Sequence, residues 1–154
     1  MTATPAGAAP DEPLVLDFVR LRPSARIPER QTPGATGYDL HACVDSPIDI
    51  GELPVRIPCG IAFAAPEGAD VQVRPRSGLA ARGVLAVLGT IDADYRGELM
   101  VTLHRLPNAA PFTVRDGDRI AQLVVSRAVP VTWREVASLD ETARGAGGHG
   151  STGQ

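Results

Sequence analysis

Proline limits this chain more than any other residue. Fourteen prolines are spread over 154 residues, and Pro47, Pro54, Pro58 and Pro66 punctuate the middle of the chain. Each removes a backbone donor, and its ring clashes with the preceding helical turn. No long helix can run through such a stretch. The pieces between the prolines are short and apolar: residues 48–50, 55–57, 61–64 and 71–74 read as strands. Similar runs occur at 14–19, at 37–42 (continuing into Cys43 and Val44), and at 99–106, 112–114, 120–125 and 131–136. Many short strands with turn signals at roughly eight- to twelve-residue intervals point to an all-β sandwich or barrel. One short helix is expected at 77–82, with Ser77 as N-cap and Gly83 as terminator. No internal repeat is present.

The rest of the composition narrows the class. Hydrophobic residues make up 44% of the chain, enough for one domain with its own core. Residues 1–13, rich in Ala, Pro and Gly, are expected to be a disordered tail, 14–137 a single β domain, and 138–154 a flexible arm. No apolar run approaches the roughly 20 residues that span a bilayer, and no secretory leader is evident, so a cytoplasmic protein is expected. Cys43 and Cys59 stand in neither a CxxC nor a metal-like spacing. Two buried free thiols are expected, with a disulfide the alternative. The net charge of −3 and 4% aromatic content argue against stable nucleic-acid binding. All fifteen basic residues are arginines, so any bound phosphate must be held by guanidinium, backbone N–H and hydroxyl groups.

Three segments carry chemistry. The first, Gly89-Thr90-Ile91-Asp92-Ala93-Asp94-Tyr95-Arg96-Gly97, sets two carboxylates, a phenol and a guanidinium between glycines. Apolar runs on both sides (Val84, Leu85, Val87 and Leu88; Leu99, Met100, Val101 and Leu103) make it the tip of an expected β-hairpin, with Asp92 and Tyr95 at its mouth. An ordinary solvated Asp-rich turn is the plain alternative. Asp94 is expected to tie the turn through Arg96 rather than to act in catalysis. The second segment places Arg74, Arg76 and Ser77 at a helix start, where free N–H donors favour anions. The third has five glycines between Arg144 and Gly153. Such a run forms no element alone, but its N–H groups can wrap an anion. His41 and His104 are expected to be surface or satisfied interior groups, and a zinc site has no support.

Together these segments resemble the trimeric dUTP pyrophosphatase (dUTPase) family. Its five segments occur in order: Ala-Thr-Gly-Tyr-Asp-Leu (35–40), Pro-Arg-Ser-Gly-Leu-Ala (75–80), the 89–97 stretch, Gly-Asp-Arg-Ile-Ala-Gln-Leu (117–123) and Arg-Gly-Ala-Gly-Gly-His-Gly-Ser-Thr-Gly (144–153). The resemblance implies a jelly-roll β-barrel with one short helix and a flexible Gly-rich arm. It also implies a homotrimer with active sites shared between subunits, and Mg²⁺-assisted hydrolysis of dUTP to dUMP and pyrophosphate. Such an activity limits uracil in DNA and supplies dUMP for dTMP synthesis. Carried over by position, Asp92 activates the attacking water and Tyr95 packs under the deoxyribose. Arg76, Ser77, Gly78 and Gln122 bind phosphate. Backbone groups at Thr90, Ile91, Asp92 and Met100 read the uracil. Arg144 clamps the terminal phosphate, His149 stacks over the base, and Gly150, Ser151 and Thr152 complete the closing arm. Asp39 stands near the water shell of Mg²⁺, whose direct ligands are the substrate phosphates.

Two positions depart from the commonest bacterial pattern. His149 replaces a Phe, so stacking is expected to depend on pH. Ala86 stands where many members carry a uracil-binding Asn, which puts base affinity in question. The competing readings are a dCTP deaminase-type enzyme of the same fold and a non-catalytic nucleotide-binding trimer. The first is disfavoured by the Asp-Tyr-Arg-Gly hairpin and the glycine-rich tail, the second by the presence of Asp92 and Arg144.

Overall fold

Alternating burial along short strands builds the molecule. The computed structural model describes residues 12–147. Its elements in chain order are β1 (Asp17–Arg20), β2 (Tyr38–His41), β3 (Ile48–Ile50), β4 (Val55–Pro58), β5 (Ile61–Ala64), β6 (Ala69–Arg74), α1 (Ser77–Ala80), β7 (Val84–Ala86), β8 (Gly89–Ile91), β9 (Met100–Arg105), β10 (Phe112–Val114) and β11 (Arg119–Arg127). They form four antiparallel sheets, β1-β5, β3-β10, β2-β11-β6-β8 and β4-β9-β7. This is the expected β-rich jelly roll with one short helix. Ile57, Val71, Val101, Leu103 and Ile120 are fully buried in one core cluster joining the sheets. Each such side chain contributes about 1.5–3 kcal/mol by leaving water.

Five local expectations need correction. First, β1 begins at Asp17 rather than Leu14. Its partner β5 offers only four positions, from Asp17 opposite Ala64 to Arg20 opposite Ile61, before Pro66 ends the ladder. Second, the hairpin around 89–97 is split. β7 pairs with β9, and the Val87 N–H still donates to the Thr102 carbonyl at 2.8 Å. Gly89–Ile91 then leaves that ladder and pairs with β6, whose second edge is open. Third, Ser77 is not the N-cap of α1. Arg76 takes that position in an extended conformation, with no side-chain cap bond. Fourth, residues 131–136 form no strand. Val129, Val131 and Trp133 show the right alternation but are 82%, 69% and 92% exposed, and among the described residues no strand pairs with them. Fifth, the helix ends at Ala80 with Ala81 as its C-cap, short of the expected 77–82, and the turn after it closes at Gly83, whose N–H donates to the Ala80 carbonyl at 2.9 Å with φ +75°.

The two thiols are free and buried, as expected. Burial first, then the nearby Glu98 carboxylate, pushes the Cys59 thiol up to about 12. His41 departs from expectation. It is half-buried, and its Nδ1 is a buried atom with no hydrogen-bond partner.

Candidate active site

The turn after β8 is closed by its own residues. The Tyr95 N–H donates to the Asp92 carbonyl at 3.0 Å. Arg96 Nη1 donates to the carbonyls of Ala93 at 2.7 Å and Tyr95 at 2.8 Å. Arg96 therefore ties the turn as expected, but through backbone carbonyls and not through Asp94. The Tyr95 hydroxyl donates to the Glu98 carbonyl at 3.0 Å. That fold-back requires Gly97, because a Cβ there would lie 2.3 Å from the phenol oxygen. Three bonds join the base of the turn to the body: Gly60 N–H to Glu98 Oε1 at 2.9 Å, Leu99 N–H to the Ile61 carbonyl at 2.8 Å, and Cys59 N–H to the Leu99 carbonyl at 3.0 Å.

These restraints shape a cavity of about 220 Å³. Thr90, Ile91, Asp92, Tyr95 and Met100 all line it, as their expected grouping requires. Glu98 and Thr102 line it too, and sequence reasoning did not select them. Thr102 was legible in the strand period: Val101 and Leu103 are buried, so Met100 and Thr102 share the opposite face of β9. Ala86 is elsewhere. It is buried opposite Leu103, and the neighbouring Val87 and Leu88 reach the cavity instead.

A second group assembles from distant segments. Asp39 on β2 is the buried acid of the core region, and both its oxygens are taken: Oδ1 by Arg76 Nε at 3.2 Å and Oδ2 by Arg119 Nη1 at 3.1 Å. Arg76 Nη1 also donates to the Arg119 carbonyl at 2.9 Å. Gln122 Nε2 donates to the Pro75 carbonyl at 2.8 Å. Its side chain lies across Gly37, where a Cβ would meet Gln122 Oε1 at 2.0 Å. Ser77 and Gly78 are exposed in the first turn of α1, and nothing lies within 4 Å of the Cβ position of Gly78. Ser77 does not cap the helix, and the Leu79 and Ala80 N–H groups of this turn donate to the Arg76 carbonyl at 3.1 and 2.9 Å. Arg119 was not selected from the sequence. Its place depends on the β2–β11 register, which shifts between Arg119 and Ala121.

The two groups do not meet within one chain. Val73 pairs with Gly89 and Val71 with Ile91, which sets Asp92 level with Asp70. Arg76 lies six residues further along the same extended path. At a strand's rise of about 3.3 Å per residue, that is about 20 Å from Asp92. Arg144 joins neither group; its Nε donates to the Gly147 carbonyl of its own turn at 2.8 Å. His149, Gly150, Ser151 and Thr152 lie outside the described residues. Among the described residues, no three His, Cys, Asp or Glu side chains converge to hold a metal ion, and no helix is long and apolar enough to cross a membrane.

The dUTPase family model matches residues 23–153. The chain belongs to the dUTPase family. A deoxyuridine 5'-triphosphate nucleotidohydrolase of Wolinella succinogenes is 51% identical over 141 residues, covering 89% of this chain and 93% of its own. One from Corynebacterium efficiens is 46% identical over 140 residues, covering 89% of this chain and 77% of its own. Among solved structures, a dUTPase of Staphylococcus bacteriophage 80alpha bound to dUpNHpp superposes with a TM-score of 0.75 at 22% identity, covering 91% of this chain and 99% of its own. A phage phi11 dUTPase from S. aureus, described with a structural Mg(II) ion, superposes at 0.71 and 22% identity, covering 82% and 99%. At such identities the structures establish the shared fold, and family membership rests on the sequence relatives. Four of the five dUTPase segments expected from the sequence have a place, and the fifth, 144–153, runs beyond the described residues. Segments 35–40, 75–80 and 117–123 build the Asp39 group, and 89–97 builds the cavity.

Proposed function

We propose that this chain hydrolyses dUTP to dUMP and pyrophosphate, as the names of its relatives suggest. The observation that carries this reading is a carboxylate, Asp92, and a ring, Tyr95, lining one small cavity on a turn that Gly97, Glu98 and Gly60 hold in place. A cavity of about 220 Å³ suits a nucleoside base and sugar but leaves no room for three phosphates. Neutral backbone groups at Thr90, Ile91 and Met100 are available to read a uracil edge. Tyr95 under the sugar leaves no space for a 2′-hydroxyl. Asp92 takes a proton from a water whose oxygen attacks the α-phosphorus. The bond from that phosphorus to the bridging oxygen breaks, and pyrophosphate leaves with its electron pair.

The phosphates belong with Arg76, Ser77, Gly78 and Gln122. Guanidinium and N–H donors held in advance stabilise charge growing on the leaving group. Since Arg76 and Asp92 are about 20 Å apart in one chain, a complete site needs a second copy to bring them to one substrate. This supports a homotrimer with shared sites. The exposed alternation of Val129, Val131 and Trp133 supports it as well, because pairing with a neighbouring copy covers those side chains. The arm from 138 to 154 then brings Arg144 to the terminal phosphate and His149 to the base, and its closure excludes water.

Both oxygens of Asp39 are occupied by arginines. The donor set therefore fits an Mg²⁺ ion that arrives on the triphosphate with its own waters, and not one gripped by protein ligands. Bound in that way the ion would offset phosphate charge, and Asp39 would face its water shell only through the lone pairs that Arg76 and Arg119 leave.

The test is pyrophosphate release from dUTP, dCTP, dTTP and UTP, each with and without Mg²⁺. Mg²⁺-stimulated release from dUTP alone is expected. Equal release from dCTP or dTTP refutes uracil reading by the hairpin backbone, and no release from any of the four refutes catalysis.

A further inference from the structure

A second cavity lies apart from the nucleoside cavity and is built from different residues. It measures about 580 Å³ and is lined by Arg20, Arg26, Glu29, His41, Asp118 and Arg119, among others. Three arginines thus line it with two acids, and the Arg20 guanidinium already donates to the Ala25 carbonyl. One of those acids is already engaged, since Asp118 Oδ2 accepts the Arg115 N–H at 2.8 Å. Arg119 shares its only carboxylate, Asp39, with Arg76. Arg26 has no ion pair among the described residues. Its guanidinium lies over Gly117, where a Cβ would come within 2.8 Å of Nη2, and the φ of +77° at that glycine favours its having none. His41 Nδ1, on the same cavity wall, is buried without a partner. A cavity with surplus guanidinium charge and one unpartnered ring nitrogen lacks an acceptor that carries negative charge.

We propose that this cavity is a second anion site, which takes a phosphate-type oxyanion with Arg26 as its main contact. Inorganic phosphate and pyrophosphate share the required chemistry; pyrophosphate is the larger and more highly charged and fills more of the volume. Arg119 belongs both to this cavity and to the Asp39 group. An anion here draws on the same guanidinium that balances Asp39. Occupancy is thereby coupled to phosphate binding at Arg76, and the coupling is reciprocal.

The experiment titrates the full chain with phosphate and, separately, with pyrophosphate by isothermal calorimetry at low salt. Each titration is run with and without saturating dUpNHpp. The expected result is one pyrophosphate per chain that persists when dUpNHpp is present, with phosphate bound more weakly at the same site. In Arg26→Gln that binding falls at least tenfold. Arg26→Lys keeps most of it, and Glu29→Gln, which removes a facing negative charge, tightens it severalfold. kcat and KM for dUTP without added anion stay within twofold of wild type in Arg26→Gln. Unchanged pyrophosphate affinity in Arg26→Gln overturns the proposal. If that variant does not fold, unchanged affinity in Glu29→Gln does so. Failure of dUpNHpp to bind counts against the dUTP reading alone, because the Arg26 and Glu29 effects are read without it.

Discussion

Within the turn at the nucleoside cavity the restraints are local, and only its base is joined to the distant Gly60, Ile61 and Cys59. Asp92 to Tyr95, Ala93 to Arg96 and Tyr95 to Glu98 each bridge three residues. On the phosphate side the restraints span the chain: Arg119 reaches Asp39 across 80 residues, Gln122 reaches Pro75 across 47, and Arg76 reaches the Arg119 carbonyl across 43. A local turn can lose one side chain and keep its shape. A group assembled by strand register links three elements of one sheet region, so its failure is felt as stability. The difference predicts that substitutions at the cavity change kinetics, whereas substitutions at Asp39 change kinetics and folding together.

The largest expected effect is at Asp92. Asp92→Asn should lower kcat by about 10²–10⁴-fold, the range of a general base. dUpNHpp affinity and melting temperature should be unchanged, since the Asp92 side chain holds none of the turn's hydrogen bonds. Turnover near the wild-type rate removes Asp92 from its role. A melting temperature that falls with it breaks the contrast between the two regions.

Asp39→Asn comes next. It leaves Arg76 and Arg119 without their carboxylate. Loss of this charge-assisted pairing should cost about 1–3 kcal/mol, read by chemical denaturation, together with a raised KM for dUTP. Full stability in this variant would show that β2, β6 and β11 hold the group without Asp39.

Gly97→Ala is the finest of the three. The new methyl collides with the Tyr95 hydroxyl and pushes the ring off the Glu98 carbonyl. KM for dUTP should rise about three- to tenfold, and preference over UTP should shrink, with stability changed by less than about 1 kcal/mol. Unaltered preference for dUTP over UTP would mean that a group other than Tyr95 rejects the ribose.

Which features could be read in advance follows from the same contrast. Prolines and alternating apolar residues placed most strands within a residue or two, because both act over neighbouring positions. Thr90, Ile91, Asp92, Tyr95 and Met100 line one cavity, and they could be grouped in advance because they are consecutive or nearly so. Ala86, buried on β7 opposite Leu103, does not line the cavity, and position in a family pattern does not reveal which face of β7 is buried. Thr102 went unselected although the period of β9 marked its face. Residues 131–136 carry a strand pattern that no strand among the described residues completes.

The sequence by itself determined an all-β fold of short strands and a family whose five segments stand in order. It also determined a polar turn held by glycines. These follow from proline's missing donor, two-residue strand periodicity and contacts over a few residues. Tertiary structure alone decided that Asp39 is locked between Arg76 and Arg119, and that Gly89–Ile91 leaves its hairpin for β6. It also decided that Asp92 and Arg76 stand about 20 Å apart at a strand's rise per residue. Each of these depends on which strands become neighbours and in what register, and that is settled only when the sheets close around a common core.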